Sequence, residues 1–179
     1  MGKKDDYAIV LDYLPYGYPL ENKKSPMVQA IGEDHLGLLE LAPIRGASFE
    51  VQEKVYIGPE KRDKVYYIIG KTPADKMTEQ AKIQLQHFIA RFVGEHESRF
   101  VEFFNKASAI NTRLHVLELI PGFGRKHTDA LLSARDENPF SSFEDIKQRV
   151  PSAPDPKKAI EKRLWEEIME NPRQRLFVT

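Results

Sequence analysis

Leu117-Glu118-Leu119-Ile120-Pro121-Gly122-Phe123-Gly124 is the stretch on which the reading of this chain turns. Pro121 and Gly122 stop the helix that precedes them, because proline cannot continue it and glycine enters backbone regions closed to other residues. Phe123 is an apolar side chain in a tight turn, so it is expected to plug the space between two helices. Gly124 opens the next helix and places no side chain over its first amides. Those unpaired N–H groups, at the positive end of the helix dipole, form an anion site. Arg125, Lys126 and His127 add side-chain donors on the first turn. Contacts of this kind grip a nucleic-acid backbone without reading its bases. Two glycines in a tight connection would otherwise mark geometry alone, and a purely structural hairpin stays open as the plainer reading.

Working outward, the segment before the hairpin carries Leu114, Leu117 and Leu119-Ile120 at helical spacing, with Asn111 or Thr112 as its N-cap. After it, the pattern predicts a helix from about Gly124 to Arg135. Ser141-Ser142-Phe143-Glu144-Asp145 offers a capping box to a short helix through Ile146 and Val150. Pro151 and Pro154 stiffen a connector, and Pro156 suits the first position of a last helix ending near Asn171-Pro172. Upstream, Ala81, Leu85, Phe88, Ile89, Phe92 and Val93 share one helical face, Gly94 interrupts, and Phe100, Phe103, Phe104 and Ala107 continue as a second amphipathic stretch.

Before Pro73 the hydrophobic period is that of strands. Tyr7–Leu11, Met27–Ile31, Leu36–Leu41, Phe49–Ile57 and Val65–Ile69 form five short runs separated by turns, with no long helix between them. That count suggests a small barrel or sandwich, and a barrel is attractive because closure removes exposed sheet edges. The expected fold is therefore α+β in two parts. Residues 1–75 form a five-stranded OB-type β-barrel, 76–108 amphipathic connecting helices, and 109–179 a helix-hairpin-helix domain.

Composition narrows the function. Lys plus Arg number 27 and Asp plus Glu 27, and this neutral balance argues against bulk coating of nucleic acid. Any such contact must come from local patches and backbone amides. The chain has no cysteine, which excludes disulfides and thiolate zinc sites and fits an intracellular home. No membrane span and no secretory leader are expected. Glu95-His96-Glu97 has metal-ligand residue types, but adjacent helix positions do not face one another, so a polar turn is the better reading. Walker, dinucleotide and zinc-hydrolase patterns are lacking, and Asp34-His35 and His87 suggest no nucleophilic site.

The segment Leu117, Ile120, Pro121, Gly122, Phe123, Gly124, Thr128, Leu131 and Arg135 resembles the helix-hairpin-helix family. Thr128 stands where that family usually has Ala, and Ile120 replaces its second Leu. The resemblance implies that the turn amides hold a phosphate, with the roles falling on Gly122, Gly124, Arg125 and Lys126. It also implies that the carbonyls of Glu118, Ile120 and Phe123 can hold a monovalent cation, the one cofactor to be considered. Over nearly the whole chain, the order of elements resembles an uncharacterised archaeal family, domain-of-unknown-function family 655. The likeness rests on the hairpin, on Lys54-Val55-Tyr56-Ile57-Gly58 leading into Arg62-Asp63-Lys64-Val65, and on overall length. It implies a cytoplasmic archaeal protein in which an OB-like barrel is joined to a C-terminal helix-hairpin-helix, with a nucleic-acid- or RNA-binding role.

An OB-type barrel would add a second binding surface at the loops after its first and fourth strands. The first loop carries Tyr13, Tyr16 and Tyr18, then Lys23 and Lys24; the second carries Lys61, Arg62 and Lys64. Aromatic faces beside cations are what single-strand binding requires, although basic hairpin tips also serve solubility alone. The expectation is a monomeric, non-catalytic, sequence-tolerant binder of RNA or DNA, with RNA ahead on the family resemblance. Its hairpin residues are Gly122, Phe123, Gly124, Arg125, Lys126 and His127. The competing expectation is an adaptor that docks on a protein partner in the translation or transcription machinery, with the hairpin purely structural.

Overall fold

The computed structural model describes residues 4–22 and 24–179. Its secondary structure is α+β: five strands, β1 (Tyr7–Leu14), β2 (Met27–Gly32), β3 (Leu38–Pro43), β4 (Lys54–Tyr56) and β5 (Val65–Lys71), precede the helices. These are α1 (Glu79–Glu95), α2 (Glu97–Lys106), α3 (Arg125–Glu137), α4 (Phe143–Arg149) and α5 (Pro156–Met169), with short 3-10 turns at Ala74–Lys76 and Val116–Leu119. The chain divides into two units. Met1–Phe88 joins Glu167–Thr179 in the first, and Ile89–Glu166 forms the second.

The first unit is built on one antiparallel sheet of order β4-β1-β2-β3-β5, curled into a half-barrel. Closure was the expected way to remove sheet edges, but β4 and β5 end the sheet and do not pair with each other. Each edge is blunted instead. β4 is only three residues long, and the register of β5 against β3 shifts twice. Ala8, Val10, Val28, Ala30, Leu41, Val55, Ile57 and Val65 form the buried core on one face, with Tyr13, Leu39, Phe49 and Ile68 packed against it.

The alternation across Phe49–Ile57 predicted a longer fourth strand. Gln52 breaks it with φ of 67°, turning the chain so that Gln52 N–H bonds to the Val10 carbonyl at 2.7 Å and Val10 N–H to the Glu53 carbonyl at 2.9 Å. Such a left-handed backbone needs support in a non-glycine residue, and the Gln52 amide supplies it by donating to the Gln84 carbonyl at 2.8 Å. Thr78 fixes the start of α1: its hydroxyl accepts Ala81 N–H at 3.0 Å and donates to the Asp12 carboxylate at 2.6 Å. At the chain's end, the buried Glu167 carboxylate accepts the N–H groups of Leu176, Phe177 and Val178 at 2.6–2.9 Å. Nothing local in the sequence signals this clasp, because it joins a helix end to a segment about ten residues further on.

In the second unit Phe100, Phe104, Leu117, Ile120, Phe123, Leu131 and Ile146 are essentially inaccessible to solvent. The predicted apolar face of α1 is buried at every position named for it, and the helix runs through Gly94 to end at Glu95. The interruption falls at His96, whose Nδ1 lies 2.9 Å from the Phe92 carbonyl and whose ring stacks on Phe92 at 4.3 Å. Glu97, the third member of that polar trio, accepts Phe143 N–H at 2.9 Å.

The segment before the hairpin departs from expectation. In place of a helix over residues 112–120 there is a tight reversal, followed by the single 3-10 turn Val116–Leu119. Asn111 is the cause, since its side-chain oxygen accepts Arg113 N–H at 2.8 Å and Leu114 N–H at 3.0 Å. That turn pairs Ala109 with His115 and leaves too few residues for an α-helix. The later helices follow the sequence closely. Ser142 caps α4 by accepting Asp145 N–H at 2.9 Å, and α5 begins at Pro156.

Candidate phosphate-binding hairpin and sheet loops

The hairpin is held from beneath by side chains and left open above. Phe123 is 1% exposed and packs its ring 5.8 Å from Phe104. Gly122 has φ of 84°, and a Cβ there would meet Pro154 Cγ at 2.8 Å, so only glycine satisfies both the turn and its neighbour. Gly124 is glycine for another reason. Its φ of −75° and ψ of −175° suit any residue, and a Cβ would meet nothing within 4 Å. It is the N-cap of α3 and provides no side-chain acceptor for the first-turn amides. Arg125 and Lys126 are exposed on that turn.

His127 is less available than the sequence suggested. Its ring stands edge-on to Phe123 at 6.5 Å, and its Nδ1 is enclosed with no hydrogen-bond partner among the described residues. The Thr128 hydroxyl is enclosed as well, also without a partner among the described residues.

Two arginines brace this scaffold at helix C-termini. Arg135, the last position of the hairpin pattern, donates to the carbonyls of Phe104 at 3.0 Å and Ala107 at 2.7 Å. Arg149 does the same for the end of α3, reaching the carbonyls of Ala134 and of Asn138, the latter at 2.7 Å. Cations there complement the negative ends of the helix dipoles. Before the turn, His115 caps the 3-10 element by accepting Leu117 N–H at 3.1 Å, and its own N–H donates to the Glu118 carboxylate at 2.7 Å. Burial, with the charge of Arg135 behind it, holds His115 below the usual histidine range.

One of the three carbonyls considered for a monovalent cation, that of Ile120, is already engaged. The Ile120 carbonyl accepts Phe123 N–H at 3.0 Å. The Leu119 carbonyl, between the Glu118 and Ile120 carbonyls in the chain, receives Nη1 of the buried Arg163 at 3.2 Å. A fixed positive charge already sits against this part of the turn.

The sheet loops distribute their expected residues among three grooves. Tyr16, Tyr18 and Lys24 line one, together with Pro15 and Pro19. Tyr16 and Lys24 are exposed there, whereas the Tyr18 hydroxyl donates to Glu40 at 2.6 Å and accepts from the fully buried Gln29 at 3.0 Å. Burial and the Glu40 carboxylate push the Tyr18 phenol well above the ordinary tyrosine range. Tyr13 packs against Phe49 at 5.3 Å. Lys23 lies outside the described residues.

In the other loop Lys61 is exposed, and Arg62 lines a second groove while its Nε donates to the Gly58 carbonyl at 2.8 Å. Lys64 lines the third groove, paired with Glu53 and donating to the Ser48 carbonyl at 3.0 Å. Burial pushes the Glu53 carboxyl up, but the Lys64 ammonium and the Glu50 N–H together hold it below its usual range.

What sequence reasoning missed is the pair Tyr66 and Tyr67 on β5, which are 72% and 51% exposed with ring centroids 5.4 Å apart. The available signal was Val65-Tyr66-Tyr67-Ile68-Ile69, an apolar run without the alternation of a half-buried strand. Among the described residues no group of three or more His, Cys, Asp or Glu is arranged to hold a metal ion, and no helix is long and apolar enough to cross a membrane.

Comparison with known proteins supplies relatives. The family described as "Protein of unknown function (DUF655)" matches residues 4–179. The uncharacterized protein MJ0038 of Methanocaldococcus jannaschii is 36% identical over 176 residues, spanning 98% of this chain and 80% of its own. The crystal structure of Af1531 from Archaeoglobus fulgidus, of the same family, is 38% identical with a TM-score of 0.86, covering 98% of this chain and all of that one.

Proposed function

The chain belongs to the DUF655 family, and we propose that it binds nucleic acid without catalysis and with tolerance of sequence, through the phosphate backbone. The observation that carries the reading is the N-terminus of α3. Its cap is a glycine with open space where a side chain would stand, and exposed Arg125 and Lys126 follow on the same turn. Backbone amides and a dipole end attract phosphate in this arrangement, and the flanking cations strengthen the attraction. The helix-hairpin-helix interpretation belongs to this proposal. Its second helix is α3, and its first is reduced to the 3-10 turn Val116–Leu119.

The half-barrel is read as OB-type, with β1, β2 and β3 in a meander, β4 on β1 and β5 on β3. Its loops offer exposed Tyr16, Lys24 and Lys61 to a single strand. RNA is placed ahead of DNA, and the compartment is the cytoplasm. A monovalent cation at the hairpin would have to share the turn with the Arg163 guanidinium.

The test is a titration of single- and double-stranded RNA and DNA against the wild type and Gly124→Val/Lys126→Glu, read by fluorescence anisotropy across a salt series. The wild type should bind with an affinity that falls as salt rises. The double variant should bind all probes more weakly, with the salt slope reduced by about one. Equal binding of every probe by both proteins would make the hairpin structural. Salt-independent capture of a protein partner, with no oligonucleotide bound, would favour the adaptor.

A further inference from the structure

We propose that Tyr66 and Tyr67, with Arg62 beside Tyr66, form a stacking platform for the unpaired bases of a single-stranded nucleic acid. The proposal rests on the nucleic-acid reading above and deepens it by naming the strand state and the residues.

Along β3 the residues Ala42 and Pro43 are consecutive, but their partners on β5 are Tyr67 and Val65, so Tyr66 is an extra residue with no partner opposite it. The same happens at Ile69, skipped between Gly70 opposite Glu40 and Ile68 opposite Leu41. Each is a β-bulge, which bends the strand and re-aims side chains. Adjacent residues in a regular strand point to opposite faces. Here the bulge instead brings the two tyrosine rings into edge contact at 5.4 Å, interplanar angle 71°, with both rings exposed.

Large exposed aromatic side chains on an edge strand carry a cost in solubility that a structural role would not require. The groove lined by Tyr66 also holds Arg62, Ile44, Pro59 and Glu60, and measures about 260 Å³. Arg62 is anchored through Nε on the Gly58 carbonyl, and its two Nη groups have no partner among the described residues. An exposed ring beside a braced guanidinium fork matches a nucleobase followed by its phosphate.

Two features of β5 decide the class of occupant. The bulges interrupt the outward hydrogen-bonding ladder that an added peptide strand would need. Glu60 and Asp63 offset Lys61 and Arg62 in the same loop, so the surroundings do not attract phosphate over a distance. Affinity at this platform therefore comes chiefly from stacking, which the paired bases inside a duplex cannot offer. The contribution of the two tyrosines should be nearly independent of salt, unlike that of the hairpin.

The experiment uses the full chain with a fluorescein-labelled twelve-nucleotide oligo-uridine, and a blunt RNA duplex of the same length as control. Tyr66→Ala and Tyr67→Ala should each weaken oligo-uridine binding about tenfold, with the salt slope and duplex binding unchanged. Tyr66→Phe should bind as the wild type does, and Tyr66→Leu as the alanine variant does, because the ring face and not apolar bulk is required. Both side chains are exposed, so melting curves should stay unchanged. Ultraviolet cross-linking of oligo-uridine should label the peptide carrying Tyr66. If the alanine variants bind within twofold of wild type while Lys126→Glu loses binding, the platform is wrong and the hairpin stands. If the wild type binds neither probe, both readings fall. If Tyr66→Leu binds as wild type does, the surface is an apolar dock and not a base-stacking site.

Discussion

The hairpin of the second unit and the sheet loops of the first present the same residue types, glycines, aromatics and cations, yet they are organised on opposite principles. At the hairpin the exposed chemistry is local, the first-turn backbone with Arg125 and Lys126 next to it. Phe123 is buried, Arg135 and Arg149 are engaged at helix ends, and no side chain at the N-cap bonds the amides after Gly124. In the first unit the exposed chemistry is side chain. Tyr16, Tyr66 and Tyr67 stand out in solvent, while Tyr13 and Tyr18, equally aromatic and close in sequence, are taken up by packing and hydrogen bonds. The lesson is that a site made of amides is specified by a few consecutive residues. A site made of side chains is specified by whatever lies across the sheet.

Breaking the hairpin from below should have the largest effect. Phe123→Ala empties a fully buried ring position, and the expected loss is about 3–5 kcal/mol. Urea unfolding followed by the fluorescence of Trp165, the chain's single tryptophan, reads it in the second unit. An unchanged midpoint would show that the ring is not the plug of the turn.

The two glycines sharpen the same point at smaller scale. Gly122→Ala meets both a left-handed backbone and Pro154, and should cost about 2 kcal/mol. Gly124→Ala meets neither and should cost less than about 1 kcal/mol, chiefly as a poorer N-cap. Equal losses by the same fluorescence readout would contradict the distinct roles assigned to them.

On the sheet side, Tyr18→Phe removes a hydroxyl that bonds both Glu40 and Gln29, and should cost about 1 kcal/mol. Hydrogen exchange should quicken in peptides of β2 and β3, and protection equal to wild type would return Tyr18 to the list of free binding residues.

The smallest effect is a pH dependence at His115. Its cap on Leu117 N–H requires an unprotonated Nδ1, and its pKa in the folded protein lies below the ordinary value. The unfolded chain therefore takes up the proton first as pH falls. The cap's contribution is complete above about 6.5 and is lost progressively below it, toward the lower folded value. His115→Asn keeps an acceptor that does not titrate. Melting curves between about pH 7.5 and 5 should show a fall for wild type that is smaller in this variant, and parallel curves would remove His115 as its source.

Much of the fold was legible. The five strand runs, the buried face of α1, the Ser142 cap and the Pro156 start are local patterns of apolar spacing or turn chemistry, and the structure reproduces them. The failures share a cause. The fourth strand shortened because Gln52 turns under a bond from Gln84, which no short window contains. The helix before the hairpin gave way to a 3-10 turn because Asn111 could cap either a helix or a tight reversal, and pairing of Ala109 with His115 selects the reversal. Barrel closure failed because strand order and edge treatment depend on pairing between distant segments.

The sequence by itself determined the hairpin turn, since proline, glycine and a buried aromatic dictate backbone angles within a few residues of one another. It also determined that charge is balanced and that no cysteine chemistry is available. Which tyrosines are free depends on the folded chain. Tyr18 and Tyr66 have the same side chain. One meets Glu40 and Gln29 across the fold, and the other is lifted out by a bulge whose existence depends on the register of β5 against β3. Exposure is a property of what packs opposite, and that is set by contacts between residues far apart in the chain.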